Sequence, residues 1–185
     1  MPTKSLCGID EAGRGPLAGS LYFAGCVLKK EIKGLNDSKK LTKKKREELF
    51  LEVIENSSYH IVKHSAKEID ELGLSVCIKR SLLEIKESLA ADRYLFDGNS
   101  RFGVDGLQTL IKADTQILEV MAASIIAKVS RDREMIELDG KYPEYGFAAH
   151  KGYGTAKHIE MIQKYGLCEI HRESFKPKKL SASLF

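Results

Sequence analysis

Acidic residues in this sequence recur at the ends of short apolar runs. The first instance is Gly8-Ile9-Asp10-Glu11-Ala12-Gly13-Arg14-Gly15-Pro16, in which two adjacent carboxylates precede a glycine-rich turn. The turn is not a Walker loop, because Gly-Arg-Gly replaces Gly-Lys-Ser/Thr and no hydroxyl follows to hold magnesium. Nor is it a dinucleotide fingerprint, since the third glycine, Gly19, falls one residue late and Pro16 interrupts. Two carboxylates would repel a phosphate unless a divalent cation stood between them. Hard cations such as Mg²⁺ pair one or two carboxylates with substrate phosphate oxygens, so the segment suits metal-assisted phosphodiester chemistry, with an exposed acidic turn as the alternative. Neighbouring side chains of a strand point to opposite faces, so Asp10 and Glu11 are expected to share a site only where the strand ends or bulges.

The same pattern returns in Tyr94-Leu95-Phe96-Asp97-Gly98-Asn99 and in Leu110-Ile111-Lys112-Ala113-Asp114. Ligands collect at the ends of strands in open α/β sheets, so Asp10, Glu11, Asp97 and Asp114 could converge at one edge. Asp132, in Ser130-Arg131-Asp132-Arg133, competes for the fourth place. If Asp114 opens the long helix that follows it, a rise of ~1.5 Å per residue puts Asp132 roughly 25 Å away, and an ion-pair role suits it better. A further segment, His150-Lys151-Gly152-Tyr153-Gly154-Thr155-Ala156-Lys157-His158, combines cations, a Tyr between glycines and a helix start at Thr155, a set suited to gripping a sugar-phosphate backbone. Taken alone, Tyr153 reads rather as a packing aromatic in a loop.

These residues need a frame. Apolar segments rich in β-formers predict strands at Ser5–Ile9, Leu21–Leu28, Tyr59–His64, Tyr94–Phe96 and Leu107–Ile111. Helical spacing predicts helices over Thr42–Asn56 with Thr42 as N-cap, near Lys67–Leu72, and over Leu74–Leu89, whose apolar face would be Val76, Ile78, Leu82, Leu83, Ile85 and Leu89. The longest periodic segment runs from Gln116 to about Asp139. Its small apolar middle, Ala122-Ala123-Ser124-Ile125-Ile126-Ala127, suits a helix pressed closely onto a sheet. A last helix, Thr155–Tyr165, ends at Gly166, a natural C-cap. Asp97 to Gly106 reads as a loop. The order predicts an α/β domain: a mixed five-stranded sheet flanked by helices, its first strands antiparallel, with a C-terminal helical appendage over about 140–185.

Composition bounds the rest. At 185 residues the chain fits one domain, and 43% hydrophobic with 30% charged residues excludes a disordered or fibrous class. The longest apolar runs, Leu21–Leu28 and Val120–Ala127, fall far short of the ~20 residues of a membrane span. The N-terminus reaches Asp10 and Glu11 before any apolar stretch could act as a signal, so a cytoplasmic protein is expected. Cys7, Cys26, Cys77 and Cys168 lack C-x-x-C spacing and are expected as free thiols rather than zinc ligands. The net charge of +4 is too mild to identify a partner. Its distribution says more: six of the eight residues from Lys39 to Arg46 are basic, and Arg172, Lys176, Lys178 and Lys179 cluster near the C-terminus. Lys39, Lys40 and Arg46 are therefore candidate phosphate contacts, with a solvated face as the alternative.

Seven blocks, GIDEAGRGPLAG (8–19), NDSKKL (36–41), LFDGN (95–99), KAD (112–114), AASIIAKVSRD (122–132), YGFAAHKGYGT (145–155) and HRESF (171–175), together resemble bacterial type 2 ribonuclease H, ribonuclease HII. They run in the family's order over nearly the whole chain. The resemblance implies a ribonuclease H-like fold and endonucleolytic cleavage of RNA in RNA/DNA hybrids, including 5′ of single ribonucleotides embedded in duplex DNA. It implies Mg²⁺ or Mn²⁺ held by Asp10, Glu11, Asp97 and Asp114, two ions ~4 Å apart that yield 5′-phosphate and 3′-hydroxyl ends. It also implies that Gly13, Arg14 and Gly15 recognise the ribose 2′-hydroxyl and that Tyr153 helps to read the RNA-to-DNA junction. Glycines let the backbone approach the minor groove closely, and the 2′-hydroxyl is what distinguishes ribose from deoxyribose. The extra N-terminal domain of type 3 ribonuclease H is not expected, a monomer is expected, and Ser183-Leu184-Phe185 is too short to read as a sliding-clamp peptide. The rival readings are a non-catalytic hybrid-binding module and a DNA resolvase on the same fold.

Overall fold

The computed structural model describes residues 5–36, 38 and 40–175 of the chain. Five strands, β1 (Leu6–Ala12), β2 (Leu21–Leu28), β3 (Ser57–His64), β4 (Arg93–Asp97) and β5 (Leu107–Leu110), form one sheet in the order β3-β2-β1-β4-β5. The pairs β1–β2 and β2–β3 are antiparallel, whereas β1–β4 and β4–β5 are parallel. The helices are α1 (Lys43–Glu55), α2 (Ala66–Leu72), α3 (Leu74–Ser88), α4 (Leu118–Lys141), α5 (Phe147–His150) and α6 (Ala156–Tyr165), with a 3₁₀ turn at Ala113–Thr115 ahead of α4.

Alternation along β1 sorts the core into two layers. Cys7 and Ile9 join Phe23 and Phe96 under α2 and α3, while Ala24 and Cys26 meet Ala122, Ala123, Ile125, Ile126 and Val129 of α4, with Leu49 and Val53 of α1 closing that side. The small residues of α4 bring its backbone onto the sheet. A Cβ at Gly8 would lie 2.3 Å from the carbonyl carbon of Glu119, so only glycine fits there. A third cluster, Leu17, Ala18, Met135, Tyr145, Phe147, Met161 and Ile162, seats α5 and α6 against the loop after β1 and the far end of α4.

Local signals act as expected at the helix ends. Thr42 Oγ1 accepts from the Lys45 N–H, Thr155 Oγ1 accepts from the His158 N–H, and Gly166 ends α6 at φ 79°. Ser65 and Glu68 form a reciprocal capping box at the start of α2. Three expectations need correction. β1 does not stop at Ile9: its pairing with β2 continues through Asp10↔Ala24, Glu11↔Phe23 and Ala12↔Tyr22. α4 starts at Leu118 instead of Gln116, because Gln116 caps the 3₁₀ turn at Ala113–Thr115 and Ile117, in extended conformation, is the N-cap of α4. Val76 and Leu83 are 42% and 40% exposed; they lie on the side of α3 opposite Ile78, Leu82 and Ile85, at about 100° per residue.

Candidate active site

The parallel pairing of β1 with β4 sets Ile9 beside Phe96, so Asp10 and Asp97, the next residues, leave adjacent strands on the same face toward α4. Lys112, held in the left-handed region at φ 59°, turns the chain out of β5 and into the 3₁₀ turn that carries Asp114. The Ala113 N–H donates to Asp97 Oδ1 at 3.2 Å, tying that turn to the end of β4. As a result, carboxylate oxygens of Asp10, Asp97 and Asp114 all lie within 4.8 Å of one another. Asp10 and Asp114 are buried, at 6% and 3% exposure.

Like charges this close and this buried resist ionisation together. Burial, then the neighbouring Glu11, push the Asp10 carboxyl well above the ordinary carboxylate range, against the opposing hydrogen bonds from the Ser124 hydroxyl and the Glu11 N–H, the latter 2.7 Å from Asp10 Oδ1. Burial, followed by the proximity of Asp114, raises Asp97 as well. A set of oxygen donors that repel one another fits a hard divalent cation, which would remove both penalties at once.

Glu11 is placed differently. Regular pairing carries β1 through Asp10 and Glu11, and the Glu11 carboxylate is not one of the three within 4.8 Å. It lies 3.6 Å from the Arg14 guanidinium and lines the same cavity as Asp10. That cavity, about 260 Å³, also has Gly13, Arg14, Gly15 and Tyr153 on its walls. The Tyr153 ring is 45% exposed and stands 5.7 Å over the Arg131 guanidinium.

The basic clusters divide. Arg46 turns inward, donating to the Leu41 carbonyl at 3.0 Å and lying 3.7 Å from Asp132, and Lys40 is exposed. Lys39 lies outside the described residues, as do Lys176, Lys178, Lys179 and Ser183-Leu184-Phe185. Asp132 also accepts from Lys128 at 2.8 Å and is not one of the three clustered acids. Arg172 is no surface cation: it is 1% exposed and bonded to backbone carbonyls, so it cannot contribute to a phosphate footprint. Cys7, Cys26, Cys77 and Cys168 are free thiols.

Sequence reasoning missed Ser124 and Lys128, which line the cavity from α4. Their four-residue spacing, one helical turn, inside a segment destined to touch the sheet was the available signal. Arg131 was also missed and Arg172 was read as a surface cation, because a buried arginine looks in sequence like any surface one.

The fold and the carboxylate site together define a ribonuclease H-like hydrolase. The family model described as Ribonuclease HII matches residues 7–178. A ribonuclease HII of Sulfurovum sp. (strain NBC37-1) is 62% identical over 178 residues, covering 96% of this chain and 95% of the relative. The ribonuclease H2 structure from Pyrococcus horikoshii OT3 superposes with a TM-score of 0.76 at 30% identity, covering 96% of both chains. In the structure of the PCNA:RNase HII complex from Archaeoglobus fulgidus the matching chain gives 0.82 at 28% identity, covering 94% of this chain and 96% of that one. The chain belongs to the ribonuclease HII family. It is a ribonuclease H endonuclease, a hydrolase acting on phosphodiester bonds.

Proposed function

We propose that this chain cleaves duplex nucleic acid on the 5′ side of a ribonucleotide, whether in an RNA/DNA hybrid or singly embedded in DNA, leaving 5′-phosphate and 3′-hydroxyl ends. The observation that carries this reading is the convergence of Asp10, Asp97 and Asp114 beside a cavity walled by Gly13–Gly15 and Tyr153. The three aspartates, with Glu11 on the cavity wall as the fourth acid, are the proposed ligands of Mg²⁺ or Mn²⁺. A divalent cation held there supplies Lewis-acid polarisation of the phosphoryl group and a water acidified toward neutral pH.

The chain's own residues do the rest. Asp97 is fixed by the Ala113 N–H and Asp10 by Ser124, whose hydroxyl lies 2.9 Å from that of Ser38. Lys128 lines the same cavity and its ammonium, paired with Asp132 at 2.8 Å, is a further proposed contact for a phosphate beside the reacting one. Gly15 bears no side chain and a Cβ there would meet nothing within 4 Å, so the sugar edge of a duplex can approach the backbone. Tyr153 offers an exposed ring at the far wall, for stacking against the sugar of the following nucleotide. Lys40 and Lys39 extend the proposed phosphate contacts, whereas the Arg46 guanidinium is committed to α4. All these residues come from one chain, so the reading needs no second copy.

The test is cleavage of a duplex carrying one ribonucleotide, with and without Mg²⁺. Metal-dependent incision at the ribonucleotide and none in an all-DNA control is expected. Equal cutting of the control would point to a resolvase-type nuclease instead, and salt-sensitive binding without turnover to a hybrid-binding module. Tyr153→Ala should damage junction cleavage far more than thermal stability; unchanged turnover would return this ring to a packing role.

A further inference from the structure

Two arginines are among the largest fully buried side chains of the protein, Arg131 and Arg172, each 1% exposed. Neither makes an ion pair among the described residues. Their donors go instead to main-chain carbonyls of one segment, the loop leaving β1. Arg172 Nη2 donates to Gly13 O at 2.6 Å and to Gly19 O at 2.7 Å, Nε to Gly19 O at 3.0 Å, and Nη1 to Arg14 O at 3.2 Å. Arg131 Nε donates to Ser20 O at 3.0 Å, and its Nη2 to Ala18 O at 3.2 Å and to Lys151 O at 2.9 Å, two residues before Tyr153.

Burying two cations without carboxylates is a poor way to stabilise a fold, since hydrophobic residues of similar volume would do as well. Burial, followed by the nearby Arg131, lowers the Arg172 guanidinium from its ordinary value to about 10. The arrangement makes sense as a way to orient peptides. In a trans peptide the C=O and the following N–H point in opposite directions, and there is no cis peptide among the described residues. Holding the carbonyls of Gly13 and Arg14 inward therefore turns the N–H groups of Arg14 and Gly15 away from Arg172. Neither N–H has a partner among the described residues. Gly13, Arg14 and Gly15, but not Arg172, line the cavity that holds Asp10. Two adjacent unpaired donors facing a cavity are suited to an oxygen acceptor such as a sugar hydroxyl. Gly13 is required for the close fit as well: at φ 93° a Cβ would lie 2.1 Å from Arg131 Nε.

We propose that Arg172 and Arg131 are positioning residues for ribose discrimination: they aim the Arg14 and Gly15 N–H groups at the sugar and lock the Tyr153 segment to the same loop. This rests on the reading that Gly13–Gly15 faces the ribose, and it adds what makes that segment selective. Neither arginine touches substrate.

The experiment compares KM for a duplex containing one ribonucleotide with the inhibition constant of the same duplex made entirely of DNA, at fixed Mg²⁺, alongside thermal melting of each variant. The wild type should bind the ribonucleotide duplex more tightly. Arg172→Met should raise KM about tenfold while leaving the inhibition constant of the DNA duplex within about twofold, the loss expected when a charge-assisted hydrogen bond no longer fixes the donors. Arg172→Lys keeps the charge but cannot span Gly13 and Gly19, and should fall between the two; it carries the test if the methionine variant does not fold. Leu82→Ala, in the core under α3, should lower the melting temperature without moving the ratio, which separates discrimination from stability. A wild-type ratio in Arg172→Met or Arg172→Lys despite a lowered melting temperature would overturn the proposal and leave the arginines purely structural. Gly15→Ala separates the two layers of the argument. Its Cβ has room in the free protein but would intrude on the sugar, so an unchanged ratio there would overturn the ribose reading itself, and a lost ratio there with a retained one in the Arg172 variants would overturn only the arginine proposal.

Discussion

Two groups of buried ionisable residues flank the loop that leaves β1, and their electrostatics are opposite. On one side, Asp10, Asp97 and Asp114 bring like charges within 4.8 Å, and burial with mutual repulsion raises Asp10 and Asp97. On the other, Arg131, Arg172, His158 and His171 are buried but saturated: the arginines by carbonyls, His158 Nε2 by His171 Nε2 at 3.0 Å, His158 Nδ1 near Tyr153 O at 3.0 Å, and His171 Nδ1 by the Cys168 N–H at 2.9 Å. A polar cluster completed by its own chain holds geometry, whereas one that is strained until a cation arrives marks where a ligand belongs.

Removing one acid breaks that contrast most severely. Asp10→Asn should reduce cleavage by more than about a hundredfold, while raising the melting temperature of the metal-free protein by relieving repulsion. In the wild type Mg²⁺ should raise the melting temperature, and in the variant that shift should shrink. A gel-based cleavage assay with thermal melting in EDTA and in Mg²⁺ checks both; retained activity, or a melting temperature that falls in EDTA, would break the comparison.

The second prediction uses the two aspartates that the long helix separates. Asp114→Asn should cost activity on the scale of Asp10→Asn, whereas Asp132→Asn should leave turnover within a few-fold and lose about 1 kcal/mol of stability with its contacts to Lys128 and Arg46. Parallel kcat and urea-denaturation measurements decide it, and comparable losses of kcat in both would count against the assignment.

Packing between sheet and helix should matter next. Gly8→Ala would force a methyl into the backbone of α4 at Glu119, and about 3 kcal/mol of destabilisation is expected on urea unfolding. Activity should fall with it, because α4 carries Ser124 and Lys128 to the cavity.

The smallest effect belongs to the saturated cluster. Burial lowers His158 and His171 from 6.5 to about 4, so the folded state prefers both rings neutral. Their contribution is fully present above about pH 6.5. It is lost as pH falls from 6.5 toward 4, because the unfolded chain takes up protons first. The melting temperature should therefore drop across that window by several degrees, and His158→Phe should flatten the slope; an unaltered slope would show that other groups carry it.

Much of this was readable without coordinates. The five strands and the main helices follow from apolar periodicity and capping residues, since alternation and 3.6-residue spacing are local properties of the chain. The acids that follow three apolar runs were equally visible, although β1 extends past Asp10 and Asp114 sits on the 3₁₀ turn after β5, and helix length favoured Asp114 over Asp132. Arg46 and Arg172 were not legible: each is one basic residue among several, and whether its guanidinium meets solvent or a carbonyl depends on segments more than 80 residues away in sequence, Asp132 for Arg46 and Gly13 for Arg172.

Residue type and spacing carry the elements, the family and the candidate acids, because that information is local. Which carboxylates meet is settled by packing. Asp10 and Asp97 share a face through the parallel register of β1 and β4, Asp114 joins them through the turn at Lys112, and Glu11, carried on by regular pairing past Ile9, lines the same cavity outside that set of three. Register and burial are relations between distant segments, and they exist only once the chain has packed.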